Sequence, residues 1–597
     1  MTDSIVRLCT SYGIETTYVD VDGIERTVSD ETLRALVDAF GIKAPAAKPP
    51  AGIDEALLEA TPPQCYVPDT LTLSRAWGLT CQLQGLASAR NLGIGDFADL
   101  EDLCRIAGAA GADFIGLNPL HAMFWSDPSR YSPFSPSNRN MLNPLYLAAD
   151  WIDGFCGLRD EEAYEAARLR ETALVDHPAV SKLKDGILRR LFARFQATGV
   201  SRSEYDAFCN RGGEQLLTHA WFETVSWSMV EKGCGAGWLD WPEALRNRHG
   251  ETVRQIIADD AGEVGYHLWL QWQADRQLAR VCKSARKAGM RIGLYLDLAV
   301  GVSADGSATW TDPDLVIPNL SVGAPPDSFS TGGQDWGLAP MSPTLLAEYD
   351  GEPFADTLAA VMRHAGALRI DHAMSMARLW LIPNGMPARA GAYVRYPLMR
   401  LLAKLAAASC QNDCIVIGED LGVVPRGFRT LMARRHFHGY RVFYFEFDAN
   451  RAFNSGNWST DALACIATHD MPTFAGWWSM RDLDMRESLG LLTDKSLRDT
   501  RTGRVAERQA LQRLLGEASN DPAVLSPKLH NFAARCPCRL FAVQVEDALG
   551  LVEQVNIPTT IDEHPNWRRR LPVSIEHIAS HPGFQAHTAA VSRARPR

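Results

Sequence analysis

The segment GALRIDH, residues 366–372, carries the pattern that decides the fold. A short apolar run ends in Arg369, Asp371 and His372, and the chain then returns at once to apolar residues that can pack a helix. Buried charge is costly unless it is paired or used. The segment therefore predicts a buried strand that delivers charged side chains to a functional edge.

Seven further segments repeat this pattern of a short apolar run that leads into polar residues. They are WGLTCQL (77–83), DFIGLNP (113–119), IGLYLDLAV (292–300), CIVIGED (414–420), YRVFYFEF (440–447), LACIATHD (463–470) and CRLFAVQVED (538–547). Near-continuous apolar runs are typical of parallel strands that are buried on both faces. Helical patterns lie between them, for example at 267–289 and 394–409. The alternation predicts an α/β protein, a (β/α)8 TIM barrel with helical insertions.

The first residues predict a separate unit. The stretch SDETLRALVDAFGI (29–42) has the spacing of a helix capped by Ser29 or Asp30, and a segment rich in proline and alanine follows it. Residues 1–70 are thus expected to form a small N-terminal module and linker. The barrel would occupy 71–597, with an insertion subdomain at about 150–265 and a lid loop at about 321–340.

Composition and charge argue against several classes of function. The 597 residues include 60 basic and 71 acidic side chains, a net charge of −11, and no basic run is interleaved with aromatics. Nucleic acid and anionic membrane are therefore poor candidates as partners. No segment resembles a signal peptide or a membrane span, which predicts a cytoplasmic protein.

Cysteine usage agrees with that compartment. Thirteen cysteines are scattered along the chain, and the close pairs Cys410/Cys414 and Cys536/Cys538 have no partner pair at zinc spacing. Reduced, packed thiols are the favoured interpretation.

The ends of the predicted strands carry the candidate site, because a barrel of this kind places its active site at their carboxyl ends. The charged residues there are Asp297, Arg369, Asp371, Glu419, Asp420, His469 and Asp470. Any one of the acids alone could be a helix cap or a rim ion pair. Together they repel, so such a site needs either a metal or carboxylates in different protonation states. Metal is the less favoured choice, because no two histidines stand at ligand spacing on one helix.

Two carboxylates suit chemistry at a sugar, where a nucleophile attacks the anomeric carbon while an acid protonates the leaving oxygen. Arg369 precedes Asp371 by two residues, so both point to one face, and the guanidinium would keep that carboxylate ionised. A retaining mechanism needs the two carboxyl groups about 5 to 5.5 Å apart, which neighbouring strands ending in Asp371 and Glu419 could supply. Glu419 must then hold a proton, so its pKa is expected to be raised.

The motifs RIDH (369–372), GEDLGVVP (418–425) and ATHDMPT (467–473) resemble, in that order, the catalytic signatures of the amylomaltases, the 4-α-glucanotransferases of glycoside hydrolase family 77. Longer segments extend the resemblance from about residue 77 to 572. These are WGLTCQLQGL, NLGIGDF, LNPLHAMF, RYSPFSPSNRNMLNPLYL, LDLAVGV, PPDSFSTGGQDWG, GYRVFYFEF and DEHPNWRRRL. Residues 11–42 also resemble the module that bacterial members carry ahead of the barrel.

The resemblance implies a role for each matching position. Asp371 would be the nucleophile that forms a covalent glycosyl-enzyme, Glu419 the general acid and base, and Asp470 the carboxylate that stabilises the transition state. Substrate-binding residues implied in the same way are Asp297, Arg369, His469, Ser132, His121 and Asn556. The donors and acceptors would be α-1,4-glucans such as maltooligosaccharides, and no cofactor or metal is implied.

The segment GAPPDSFSTGGQDWGLAP (323–340) combines prolines, glycines and small polar residues with the large aromatic Trp336. Such a composition suits a loop that folds over a sugar chain and excludes water, so that the intermediate awaits a sugar hydroxyl. An ordinary surface loop is the alternative interpretation.

Three positions depart from the family pattern. Ser375 and Thr559 stand where glycine is usual, and Met471 stands where a small residue or threonine is common. Replacing glycine restricts the backbone wherever φ is positive, so the shape of these loops is in question.

Alternative functions that stay open are a retaining α-glucan hydrolase, a carbohydrate-binding or scaffold protein on a degenerate barrel, and a metal-dependent barrel enzyme.

Overall fold

Eight parallel strands form the central sheet of the computed structural model, which describes residues 3–45, 53, 63–327, 330, 332–447 and 458–597. We number these strands β1 to β8 along the chain. They are β1 (Ala76–Cys81), β2 (Phe114–Leu117), β3 (Gly293–Leu298), β4 (Ala367–Ile370), β5 (Ile415–Gly418), β6 (Gly439–Val442), β7 (Ala462–Cys465) and β8 (Leu540–Gln544). Each lies in one of the eight predicted segments or begins one residue before it, which confirms the prediction of a (β/α)8 barrel.

The strands pair in the order β5-β4-β3-β2-β1-β8-β7-β6. The gap between β5 and β6 closes through His438, whose carbonyl accepts from Gly418 N at 2.7 Å and whose N–H donates to Val416 O at 2.9 Å. This closure places the carboxyl ends of all eight strands around one rim.

Helices surround the barrel and fill its insertions. Their bounds are Asp3–Ser11, Asp30–Ala39, Asp69–Leu73, Phe97–Ala109, Asp160–Arg170, His177–Thr198, Arg202–Glu231, Glu243–Arg246, Glu251–Asp259, Ala261–Lys287, Ser307–Thr311, Pro343–Glu348, Glu352–Met362, Leu398–Gln411, Phe428–Arg434, Phe474–Ser479, Arg481–Ser488, Asp494–Leu515, Pro522–Ala534, Val545–Ala548, Ile575–Ile578 and Pro582–Ala594. Within the described ranges, none of these helices is both long and apolar enough to cross a bilayer.

The expected helix at 394–409 begins later than predicted. Residues Ala392–Arg395 form a strand that pairs with Arg378–Pro383, and the helix Leu398–Gln411 starts directly after Pro397. Proline fixes φ and lacks an N–H, so it is tolerated where a helix begins and not within one.

The expected lid loop contains regular structure. Leu320–Ala324 and Gln334–Ala339 are antiparallel strands of a five-stranded sheet that also contains Val302–Ser303, Arg378–Pro383 and Ala392–Arg395. The segment is therefore a β-hairpin rather than an irregular loop, with prolines and glycines between its strands. Residues 328, 329 and 331, near its tip, lie outside the described residues.

The N-terminal residues pack onto this five-stranded sheet. Ile14 forms a β-bridge with Val394, and Glu15 N donates to Tyr393 O at 2.8 Å. The Glu15 carboxylate pairs with Arg378 at 2.8 Å and with Arg395 at 3.0 Å. In the predicted linker, residues 46–52 and 54–62 lie outside the described residues.

Candidate active site

Arg369 joins two acids at the centre of the rim. The parallel register of β3 and β4 sets Arg369 opposite Asp297, and Nη1 of the guanidinium donates to both carboxylate oxygens, at 2.8 and 2.9 Å. Nη2 lies 2.7 Å from Oδ1 of Asp371. Because Arg369 and Asp297 are buried, their pairing offsets the free-energy cost of removing each charged side chain from water. Burial still raises the pKa of Asp297 to about 6, with the charge of Arg369 opposing the shift and that of Asp371 adding to it.

Glu419 stands beside Asp371 at the same height on the rim. Ile370 pairs with Gly418, so the residues that follow them leave β4 and β5 side by side. The backbone N–H of His372 donates to Glu419 Oε2 at 3.0 Å, and that of Leu421 donates to Oε1 at 2.7 Å. Desolvation, opposed by Arg369 and reinforced by the charge of Asp371, raises the pKa of Glu419 to about 7. This carboxyl can therefore hold or release a proton near neutral pH.

Asp470 has the opposite electrostatic environment. Desolvation opposes its ionisation, but the charge and hydrogen bond of His469 and the hydrogen bond of Asn556 hold its pKa at about 2. His469 Nε2 lies 3.3 Å from Asp470 Oδ2, and Asn556 Nδ2 donates to Oδ1 at 2.6 Å. Gln554 Nε2 fixes both partners by donating to the backbone carbonyls of Asp470, at 2.9 Å, and Asn556, at 2.6 Å. Asp470 is thus a permanently charged group on the rim.

Aromatic rings line two sides of these acids. The ring of His469 lies 5.0 Å from that of Phe134 and 5.3 Å from that of Trp567. On the other side, Trp336 meets His372 edge-on, with ring centroids 5.4 Å apart. Trp336 lies on the second strand of the hairpin, so this contact ties the predicted lid segment to the residue that follows Asp371.

The remaining predicted residues lie at different distances from the acids. His121 is buried, and its Nε2 accepts from Ala299 N at 3.3 Å; burial lowers its pKa to about 3, so the imidazole is neutral. It shares a cavity wall with Asp297. The carbonyl of Ser132 accepts from Ser135 N at 3.0 Å in a turn, and it is Phe134, two residues on, that contacts His469. The role of Ser132 stays a prediction.

The three departures from the family pattern differ in their local geometry. Thr559 has φ of 76°, in the left-handed region that favours glycine, and this is strained for a β-branched residue. Ser375 lies in a short 3-10 helix, Ala373–Met376, where its N–H donates to His372 O at 2.8 Å. Met471 is partly buried against the apolar residues of the barrel interior.

The sequence reasoning missed Phe134, Trp567 and Glu546. Glu546 follows β8 by two residues, so the rule that selected the other acids by their place after a strand applies to it as well. Phe134 and Trp567 lie within segments whose turn residues gave no sign of the ring cluster.

Comparison with known proteins gives a consistent result. A family model described as 4-alpha-glucanotransferase, of glycoside hydrolase family 77, matches residues 81–575. A 4-alpha-glucanotransferase of Haemophilus influenzae is 33% identical over 566 residues, which cover 90% of this chain and 81% of that protein. One of Mycobacterium tuberculosis is 35% identical over 539 residues, covering 86% of this chain and 73% of that protein.

Solved structures agree on the fold. The crystal structure of amylomaltase from Corynebacterium glutamicum superposes with a TM-score of 0.84 at 24% identity, over 98% of this chain and 99% of that one. Amylomaltase from Streptococcus agalactiae in complex with acarbose superposes with a TM-score of 0.72 at 19% identity, over 87% and 98%.

Proposed function

Because the chain belongs to glycoside hydrolase family 77, the 4-alpha-glucanotransferases, we propose that it transfers maltooligosaccharide units between α-1,4-glucans by a retaining double displacement. The observation that carries this proposal is the separation of protonation states on one rim. Glu419, with a pKa of about 7, can be protonated where Asp470, with a pKa of about 2, is charged. Pairs of acids whose surroundings separate their pKa values mark the acid and the charged partner of such a reaction.

In the first step, a carboxylate oxygen of Asp371 attacks the anomeric carbon of the donor sugar. The bond from that carbon to the 4-oxygen of the leaving glucan breaks, and Glu419 gives its proton to that oxygen. The product is a glycosyl ester on Asp371, with the anomeric configuration inverted once. Asp470 stays ionised throughout and stabilises the positive charge that develops on the ring.

In the second step, the 4-hydroxyl of an acceptor glucan gives its proton to Glu419, and its oxygen attacks the anomeric carbon. The ester bond to Asp371 breaks, which restores the carboxylate and inverts the configuration a second time. Water in place of the acceptor would give hydrolysis by the same steps. We assign the exclusion of water to the hairpin that carries Trp336, since it reaches the nucleophile side of the rim.

The remaining residues position these groups. Arg369 donates to Asp297 and forms an ion pair with Asp371, and together these contacts fix the orientation of the nucleophile. His469 and Asn556 fix Asp470. The reaction needs carboxylates and a sugar hydroxyl only, so the proposal invokes no cofactor or metal.

All 13 cysteines are free, including both close pairs, which favours the reducing cytoplasm as the compartment.

The test is incubation of the purified protein with maltotriose, followed by separation of the products by length and an assay of free glucose. A ladder of longer oligomers together with glucose is the expected result. Shorter sugars alone would identify a hydrolase instead. A chelator should leave the activity unchanged. A loss of activity when the chelator is added would favour the metal-dependent alternative.

The nucleophile is tested with Asp371→Asn, for which we expect no turnover and an unchanged circular dichroism spectrum. Asp499→Asn is the matched control, because Asp499 is exposed on the helix Asp494–Leu515. Substantial activity in Asp371→Asn would refute the assignment, and complete loss in both variants would point to the fold instead.

A further inference from the structure

A cavity inside the barrel adjoins the candidate active site. Asp297, Arg369 and His469 form one side of it, and its other walls come from residues on β1, β2, β3, β6, β7 and β8. It offers about 40 Å³ to the centres of water molecules. Each water needs roughly 10–15 Å³ by this measure, so the cavity has room for about three.

Several polar side chains that line this cavity play no part in the mechanism above. Gln82, Gln544 and Glu546 are each more than nine-tenths buried. The side-chain oxygens of both glutamines have no hydrogen-bond partner among the residues that the structure describes. A buried acceptor left unpaired costs about 1–3 kcal/mol, and a polar cavity with room for water is the usual place where such a cost is avoided.

Glu546 complements these two acceptors. Burial raises its pKa to about 7, although the hydrogen bond from its own backbone N–H and the charge of His469 act in the opposite direction. Below that pH the carboxyl is neutral and has a hydroxyl to donate, while water must supply the donors that the glutamine oxygens lack. The walls of the cavity therefore contain both acceptors and a donor.

We propose that Gln82, Gln544 and Glu546 bind a cluster of about three ordered waters that holds Arg369 and His469 in position. In this role Glu546 is a positioning residue for glucan transfer, since it acts on the reacting groups through the waters and touches no substrate. This consequence for transfer rests on the proposed function, whereas the water site itself does not.

The contacts of Arg369 explain why such support matters. The described hydrogen bonds of Arg369 go from Nη1 to Asp297, and Nη2 forms an ion pair with Asp371, whereas a guanidinium carries five N–H donors. Arg369 is also one of the residues that line the cavity. A displacement of about 1 Å in a positioning group can cost on the order of 10²-fold in rate, so a loose guanidinium would disturb the nucleophile that it holds.

Kinetics test the positioning role. For Glu546→Ala we expect kcat for maltotriose transfer to fall by about ten-fold or more while KM changes by less than about two-fold, because the waters are lost and the sugar contacts are not. Glu546→Gln keeps the shape and the capacity to donate, and it should recover kcat to within about three-fold at pH 6.

Glu223→Ala is the matched control. Glu223 is an equally buried glutamate with a raised pKa, but it lies on the helix Arg202–Glu231. This variant should lose stability and keep kcat. An unchanged kcat in Glu546→Ala, a change in KM instead, or no recovery in Glu546→Gln would each overturn the positioning role.

A crystal structure of the wild-type protein at a resolution that shows waters tests the site independently of activity. We expect ordered waters within 2.7–3.2 Å of Gln82 Oε1, Gln544 Oε1 and the carboxyl of Glu546. In Gln544→Met, which keeps the volume and removes the acceptor, at least one of these waters should be absent. A cavity without waters in the wild type would refute the water site even if the protein transfers glucans. If the waters are present but the protein does not transfer glucans, the water site stands and the proposed function is wrong.

Discussion

The pKa of Glu419 gives a prediction that pH and one substitution can test. Its ordinary pKa is 4.5, and desolvation, reinforced by Asp371 against the opposing charge of Arg369, raises it to about 7. At pH 7 roughly half of the molecules therefore carry the proton, whereas an unperturbed glutamate would do so in roughly 1 of 300. This difference corresponds to about 3 kcal/mol in favour of the acid form.

The sign of the effect on activity follows directly. Because the first step of the proposed mechanism needs Glu419 protonated, kcat/KM for maltotriose should be level below pH 6 and fall about ten-fold for each pH unit well above 7. In Glu419→Gln, kcat/KM should fall by about 10²- to 10⁴-fold, and this alkaline decline should vanish. Maltosyl fluoride as donor needs no acid to expel its leaving group, so with this variant the glycosyl ester should accumulate.

The assay is the initial rate of glucose release between pH 4.5 and 9, together with the intact mass of the protein after it has reacted with the fluoride. Glu223→Gln is the control, since burial also raises the pKa of Glu223, to about 8, without placing it at the rim. It should keep the alkaline decline. An alkaline decline centred near pH 5 in the wild type, or a decline near pH 7 that persists in Glu419→Gln, would refute the assignment of the acid.

Three further substitutions test the supporting structure. Asn556→Ala removes the hydrogen bond to the charged Asp470, and kcat should fall by about ten-fold or more with little change in KM, since such bonds contribute about 1.5–3 kcal/mol. Thr559→Gly relieves a positive φ that costs about 1–2 kcal/mol, so urea unfolding should show a gain in stability; a loss would contradict the strain. Glu15→Gln weakens the ion pair with Arg378 and should lower the free energy of unfolding by about 1 kcal/mol or more, whereas an unchanged value would mean that backbone bonds alone dock the N-terminal residues.

The barrel could be predicted from the sequence because each strand is buried on both faces. A strand such as β4, Ala367–Ile370, is then a continuous apolar run that differs from the amphipathic helices beside it. Because a barrel of this kind places its active site at the carboxyl ends of its strands, Asp371, Glu419 and Asp470 could be assigned to one site without knowledge of the strand order. The closure at His438 could not be predicted, since it depends on two backbone hydrogen bonds in a segment without a strand-like run.

The hairpin and the N-terminal contacts show where sequence patterns end. The composition of residues 323–340 indicates turns, but its strands exist because they pair with each other and with Arg378–Pro383, more than fifty residues away in the chain. In the same way, Glu15 meets arginines that lie more than 350 positions later. Pairings of this kind are set by tertiary packing, which cannot be inferred from the propensities of the local sequence.

The pKa values of the two acids differ because of their neighbours, and not because one acid is a glutamate and the other an aspartate. Glu419 and Asp470 each accept two hydrogen bonds or close contacts from fixed donors, yet their pKa values diverge to about 7 and about 2. The difference is that Glu419 faces the charge of Asp371, while Asp470 faces His469. Arg369 acts on both, so it cannot be what separates them. The same arrangement serves hydrolysis and transfer equally well, and the choice between water and a sugar hydroxyl must therefore be made by what covers the ester. We propose that the hairpin that carries Trp336 is this cover.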